Sequence, residues 1–512
     1  MNLLSSRSGR LVWCLLLVVG FTLTCKKTIN WDELNPSTIE ENLALLANAE
    51  QIYLNRLNAG DISAAAREVQ TILQDAPGVT AVIISPDSTV WAYFSNGLIA
   101  GICENTSGTN GNHTRKNPSP LTEQPTGIAG GAVGTGPQIL VPFADELPGT
   151  AISAAAIMRK CQQFYMLHGV RLTQNSEVTI QKVKSLLDDA RSLLFWSGHG
   201  TLVSPAPGDA PVAGLLTGRG YNRREMANLI AGDFRNYLRN GQNQALLAFS
   251  IHDATFYPVI LPAFISQYGR FENSEPGWKT MVYISACFSA YQANPQLEQA
   301  FRNAGVDLFA GYDWAVTDDF SSELDTTFLG AMIDSCLAPE ALAQLPAVTD
   351  PSELFGRHAA FRISGDTLVM LRHILDARCD GIQLRSAMVA ATGGARANIQ
   401  AAVTAPDESE PTAQITVGFP GAPGQYDIQF TDDALLCFFD NRNARVYWAV
   451  SGYIGVGGTI AIDRYNSELV SGRFSGVLGY WTPGMNPQTD PPTATINLTD
   501  GAIKHTGWRI DD

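Results

Sequence analysis

The 512-residue chain contains no CxxC pair, no short His/Cys cluster, and no stripe of Lys and Arg interleaved with aromatic residues. The first two absences exclude the common structural zinc and iron–sulfur frameworks, which need several thiolates or imidazoles within reach of one ion. The third, together with a formal net charge of −15, excludes a broad nucleic-acid groove, because a phosphate backbone would be repelled over most of the surface. Nor is there an apolar run of the roughly 20 residues that cross a bilayer in comfort. What the chain has instead is 45% apolar and only 16% charged residues, the balance of a polymer that buries a core. At 55.1 kDa one core would be unwieldy, so two or three domains are expected.

The apolar stretch that does occur, Leu11 to Thr24, follows Arg7 and Arg10 and has the length of a secretory leader. A signal peptide over residues 1–24 is therefore expected. The stretch closes on Thr22-Leu23-Thr24-Cys25, which resembles a bacterial lipobox, with Thr before the cysteine where Gly, Ala or Ser is usual. That resemblance implies lipidation of Cys25 and tethering to a membrane by acyl chains. It places the chain at the cell envelope, on the outer membrane or cell surface, with a secreted or periplasmic protein as the alternative.

Ser37 and Glu40, three positions apart, predict a capping box that opens a helix through Leu43, Leu46 and Ile52. A second helix is expected from Ile62 to Leu73. Val79 to Ile84 and Thr89 to Phe94, joined by Ser85-Pro86-Asp87-Ser88, predict a hairpin, which makes 25–103 a small helix-plus-hairpin region. Residues 104–137 are rich in Gly, Asn, Thr and Pro and form a linker. From 138 to 350 short apolar strands alternate with helical patterns. The strands are Gln138 to Phe143, Leu193 to Trp196, Leu246 to His252, Met281 to Ser285 and Val306 to Ala310. Such a rhythm predicts an α/β three-layer sandwich around a mainly parallel sheet. From 376 to 512 turn-rich alternating segments predict an antiparallel all-β domain, which could bind a carbohydrate or a partner or serve stability alone.

Two strand ends carry the chemistry. Leu193-Leu194-Phe195-Trp196-Ser197 runs into Gly198-His199-Gly200, a small-residue turn that presents one imidazole. Met281-Val282-Tyr283-Ile284-Ser285 runs into Ala286-Cys287 and presents one thiol, 88 residues later. Carboxyl ends of neighbouring parallel strands share one sheet edge, so both groups are expected at one cleft. There an imidazole would activate the thiol for acyl attack, raise its thiolate fraction and later protonate the leaving amine. His252-Asp253 also follows an apolar strand and reads foremost as a solvated loop pair. Asp318-Asp319 and Asp432-Asp433 read as turn or surface acids, with calcium as the minor alternative.

These two strand ends, with Gly305-Val306-Asp307-Leu308-Phe309-Ala310-Gly311-Tyr312-Asp313-Trp314 downstream, resemble the caspase, legumain, clostripain and gingipain superfamily of cysteine peptidases over roughly 138–345. The resemblance implies a caspase-like fold and a peptidase acting on protein or peptide substrates without a cofactor. His199 would be general base and acid, Cys287 the nucleophile, and the amides of Gly200 and Cys287 the oxyanion donors. The substrate would lie beside Ser285, Gly311, Tyr312, Asp313 and Trp314. Ser285 departs from members of the family that carry an acid two residues before the cysteine, and Asp313 is the candidate to replace it. The alternative is a catalytically inactive caspase-like surface protein that binds a glycan or protein through its β domain. If Cys14 leaves with the leader while Cys25 and Cys287 are committed, an odd number of cysteines remains, which speaks against a complete disulfide framework.

Overall fold

The computed structural model describes residues 34–57, 62–103, 136–164, 170–188, 192–271, 279–369, 371, 374–392, 396–405, 411–431, 434–466 and 469–506. The leader, Cys25, nearly all of the expected linker, and Asp432-Asp433 lie outside the described residues. Within the described residues no helix is long and apolar enough to cross a membrane.

The described residues open with α1 (Pro36–Leu57) and α2 (Ile62–Gln74), followed by β1 (Val79–Ile84), β2 (Val90–Phe94) and β3 (Ile99–Ile102). The cap of α1 is Asn35, not Ser37. Asn35 Oδ1 accepts from the Thr38 amide at 2.9 Å and from the Ser37 hydroxyl at 2.6 Å, while Pro36 takes the first helical position, where a missing N–H costs nothing. After the linker come β4 (Gln138–Val141), α3 (Pro148–Phe164), β5 (Arg171–Gln174), α4 (Ile180–Leu187), β6 (Leu193–Ser197), β7 (Gly200–Val203), β8 (Val212–Leu216), α5 (Arg223–Ala231), β9 (Leu247–His252), β10 (Thr255–Ile260) and α6 (Pro262–Tyr268). Then follow β11 (Met281–Ser285), α7 (Gln296–Asn303), β12 (Leu308–Tyr312), α8 (Asp318–Ile333), α9 (Ala338–Leu342), β13 (Thr349–Leu354) and β14 (Arg357–Gly365).

These strands form two seven-stranded sheets where the sequence predicts one. The second sheet, ordered β13-β14-β12-β11-β6-β4-β5, is parallel from β12 to β5, and β14 adds an antiparallel edge. The first, ordered β1-β2-β3-β9-β10-β8-β7, is antiparallel except where β3 meets β9. The expected strand Leu246 to His252 therefore leaves the parallel sheet. It doubles back through the tight turn at Asp253 and Ala254, both at positive φ, and pairs with β10. For the same reason the described residues of the helix-plus-hairpin region, 34–57 and 62–103, join the central part: β3 hydrogen-bonds to β9, and α1, α2 and the central helices share one hydrophobic core.

A separate core begins at Leu375. It is enclosed by ten antiparallel strands, β15 (Ile374–Cys379) through β24 (Ala494–Thr506). The antiparallel sheet agrees with the alternating pattern of the C-terminal region, and pairing of Leu469–Tyr480 with β24 closes it on itself and leaves few free edges.

Candidate active site

Strands β6 and β11 are continuous apolar runs, buried on both faces as central parallel strands must be. Their register pairs Ser197 with Ser285, so His199 and Cys287, each two positions further on, leave the sheet side by side. The Gly198 amide donates to the Ser285 carbonyl at 3.0 Å and ties the two ends together. Gly200 has to be glycine, since a Cβ there would collide with the Cys287 carbonyl oxygen. The residue after the thiol, Phe288, is held at φ +61, a strained conformation for a bulky side chain and a sharp turn away from the strand. The turn is fixed by Phe288 N–H to Trp314 O at 3.1 Å and Ala290 N–H to Tyr312 O at 2.8 Å.

His199 and Cys287 line one pocket of about 50 Å³. The His199 side chain is 15% exposed and packs on the Phe143 ring at 4.6 Å between centroids. Its Nε2 has no hydrogen-bond partner among the described residues, and the Glu146 carboxylate stands 3.9 Å from it. Burial, and then the charge of nearby His252, push the imidazole down to about 3, so it is neutral at pH 7. The Cys287 thiol donates to the Val316 carbonyl at 3.7 Å and accepts from the Val316 amide at 3.4 Å. Burial pushes it up to about 11, against the lowering effect of the Val316 contact. The expected rise in thiolate fraction is therefore absent in this arrangement: desolvation outweighs the neutral imidazole, and the resting pair is uncharged.

The other pocket residues come largely from the first sheet. Asp87, from the turn expected to join the first hairpin, is buried and fully employed. It accepts from the Ser85 hydroxyl, from Thr201 Oγ1 at 2.9 Å and from the Leu202 amide at 3.0 Å. Cys103 directly follows β3 and is pushed up to about 11 by burial. His252, expected in a solvated loop, lines the pocket from the end of β9, and the turn that carries it is anchored by Glu50, whose carboxylate accepts from the Ala254 amide at 3.0 Å. Glu50 is 1% exposed, and burial raises its pKa. Sequence reasoning missed Asp87, Cys103 and Glu146, because a turn acid and a lone buried cysteine carry no local mark, and only the pairing of β3 with β9 brings the first sheet here.

The residues expected to bind substrate fare differently. Ser285 is buried at the foot of the site. Gly311 is packed against Ser289, and Tyr312 is fully buried, its hydroxyl 3.0 Å from that of Tyr283. Asp313 does not supply a free pocket acid. It is 2% exposed, accepts from the Ala360 amide at 2.8 Å, and is held by Arg362 through Nε at 3.2 Å and Nη2 at 3.0 Å. Trp314 donates from Nε1 to the Leu354 carbonyl at 2.8 Å and stands edge-on to Phe288 at 5.2 Å, a support for the turn after Cys287 and not a lining of the pocket. Asp318, an expected turn or surface acid, caps α3 by accepting from the Gly149 and Thr150 amides at 2.8 and 2.9 Å. Among the described residues no three His, Cys, Asp or Glu side chains are arranged to hold a metal ion.

No family model matches the chain, and no curated protein does. Among solved structures it is similar to the Arg-specific cysteine proteinase gingipain R, at 9% identity and a TM-score of 0.29, over 68% of this chain and 65% of that one. It is also similar to the complex of the pro- and mature domains of Porphyromonas gingivalis RgpB, at 10% identity and 0.28, over 68% and 66%. The chain thus matches just under two thirds of the length of those structures, and at these scores no residue-by-residue correspondence follows.

Proposed function

We propose that the chain is a cysteine-type endopeptidase of caspase-like α/β sandwich architecture, with Cys287 as nucleophile and His199 as general base and acid. The observation that carries this reading is the Ser197–Ser285 register, which delivers an imidazole and a thiol to one pocket from equivalent points of adjacent strands. In the first step Cys287 Sγ bonds to the scissile carbonyl carbon as its proton passes to His199 Nε2. The oxyanion is held by the amides of Gly200 and Cys287. The carbon–nitrogen bond then breaks, the amine leaves with the proton from His199, and water hydrolyses the thioester by the reverse relay. Because both resting groups are neutral, proton transfer accompanies attack, and Val316 must release the thiol first. Glu146, beside Nε2, is suited to steady the imidazolium as it forms. The substrate is a protein or peptide, with no nucleic acid and no cofactor. Attachment to the envelope through a lipid on Cys25 is part of the same proposal, and fatty-acid labelling lost in Cys25→Ala tests it.

An acyl-mimicking electrophilic peptide tests the chemistry. Mass spectrometry should find Cys287 modified, Cys287→Ala should abolish labelling and hydrolysis, and His199→Ala should slow labelling by about 10²-fold. An unmodified Cys287, or equal rates in the native and His199→Ala proteins, would falsify the dyad. The second reading, an inactive surface protein that binds through its β domain, draws support from the thiol's pairing with Val316 in place of His199. A saturable glycan or protein ligand combined with a silent thiol would favour it.

A further inference from the structure

Strands β13 and β14 form a hairpin at one edge of the second sheet, and its tip reaches the pocket that His199 and Cys287 share. Leu354 pairs with Arg357, so the turn between them consists of Phe355 and Gly356, both at positive φ, +50 and +72. A two-residue turn of this kind favours Asn-Gly or Asp-Gly, because its first position enters the left-handed region that a bulky side chain avoids. Phenylalanine stands there instead. It is half-buried, packs on the central core and lines the pocket together with Cys287 and Phe288. Side chains kept in such costly conformations cluster where a ligand is gripped.

The tip is anchored on both sides of Phe355. Trp314, whose ring stands against Phe288, donates from Nε1 to the carbonyl of the preceding residue, Leu354, at 2.8 Å. Arg357, two positions further on, lies 5.0 Å over the Trp314 ring and 3.6 Å from the Asp313 carboxylate. On β13, the buried Asp350 accepts from the Thr317 amide and hydroxyl at 2.8 Å each, one residue after the Val316 that holds the thiol. The hairpin is therefore built onto the segment 313–317 that supports the turn after Cys287, and Phe355 is a fixed wall. The space it leaves, about 50 Å³, is room for roughly four waters. Among the other apolar wall residues, Phe143, Leu216 and Phe288 are buried in the cores of the two sheets, whereas Phe355 sits on a two-residue turn.

We propose that Phe355 is a specificity-determining residue, its ring limiting what reaches Cys287 to small side chains, so that glycine, alanine or serine precedes the scissile bond. The statement about the scissile bond rests on the peptidase reading. The steric limit at Cys287 does not.

Alkylation of Cys287 tests that limit without calling on catalysis. Rates with iodoacetamide and with the bulkier N-benzyl iodoacetamide are followed by mass spectrometry of the full chain at alkaline pH, with glutathione as the reference thiol. The bulky-to-small rate ratio at Cys287 should fall at least about tenfold below that of glutathione. Phe355→Asn, which suits the turn, should raise the ratio by at least about fivefold. Phe355→Gly should do the same and serves should the first variant fail to fold, while Phe355→Tyr should keep the native ratio. A native ratio equal to that of glutathione, or one unchanged in the Asn and Gly variants, overturns the proposal. Peptides that differ only in the residue before the scissile bond carry the test to catalysis: the native chain should cleave after alanine at least about tenfold better in kcat/KM than after phenylalanine, and Phe355→Asn should narrow the gap. Cleavage indifferent to side-chain size overturns the proposal and leaves the dyad standing. No cleavage, with the alkylation ratios as expected, leaves the wall standing and counts against the peptidase reading.

Discussion

Burial sets the protonation of His199, Cys103 and Cys287 in the direction that keeps each neutral. With Cys287 pushed up to about 11, the thiolate fraction at pH 7 is only about 10⁻⁴. Alkylation of Cys287 by iodoacetamide should therefore keep accelerating about tenfold per pH unit from 7 to 10, with no plateau near neutrality; a plateau below pH 8 would show a preformed thiolate. The same reasoning applies on α8, where it meets β11. Asp325 accepts from the Tyr283 hydroxyl at 2.6 Å and is pushed up to about 7, by burial first. Its unfolded form ionises near 3.8, so between there and 7 only the unfolded state gives up the proton, and stability falls as pH rises through that window. Asp325→Asn removes the ionisation. Relative to the native chain it should gain on the order of 2–4 kcal/mol on going from pH 4 to pH 8, read from denaturant midpoints at the two pH values. Parallel shifts of both proteins would refute this.

At the scale of elements, β6 and β11 were readable because a central parallel strand is an unbroken apolar run, and both runs stop at small residues. Helices α3 and α8 were readable by their period, within a few residues at their ends. Partnership was not. Asp313 reads as a free loop acid, yet β14 returns antiparallel to β12 with Arg362 opposite Gly311, and the guanidinium reaches the carboxylate. Nothing near Asp313 in the chain announces an arginine that far downstream. Since Arg362 is 52% exposed, solvent screens part of the pair, and Asp313→Asn should cost about 1–2 kcal/mol in thermal or denaturant melts. Residue preference at the scissile bond should not change; a lost preference for Arg or Lys would restore Asp313 to the pocket. The reversal of the chain after His252 was equally silent, because an apolar run followed by His-Asp suits a strand end as well as a hairpin turn.

In the whole molecule the division between cores falls at Leu371 and Leu375, and the contacts across it include Lys504 with Glu340 at 2.6 Å and Leu469 with Leu337. Residues 374–512 expressed alone should give a β-type circular dichroism spectrum and a cooperative melt; helical minima or no transition would count against a self-sufficient unit. Residues 25–103 should behave otherwise, because their strands and Asp87 belong to the same sheet and pocket as β9. The pocket that His199 and Cys287 share thus straddles a seam. Cys287 and His199 follow strands of the second sheet, while Ser250 and Tyr257 lie on strands of the first and Thr89 just before its β2. If the proposed pair is reactive, substitutions at Thr89, Ser250 and Tyr257 should alter which ligands the pocket admits without moving His199 and Cys287, whose places are set by the register of β6 and β11.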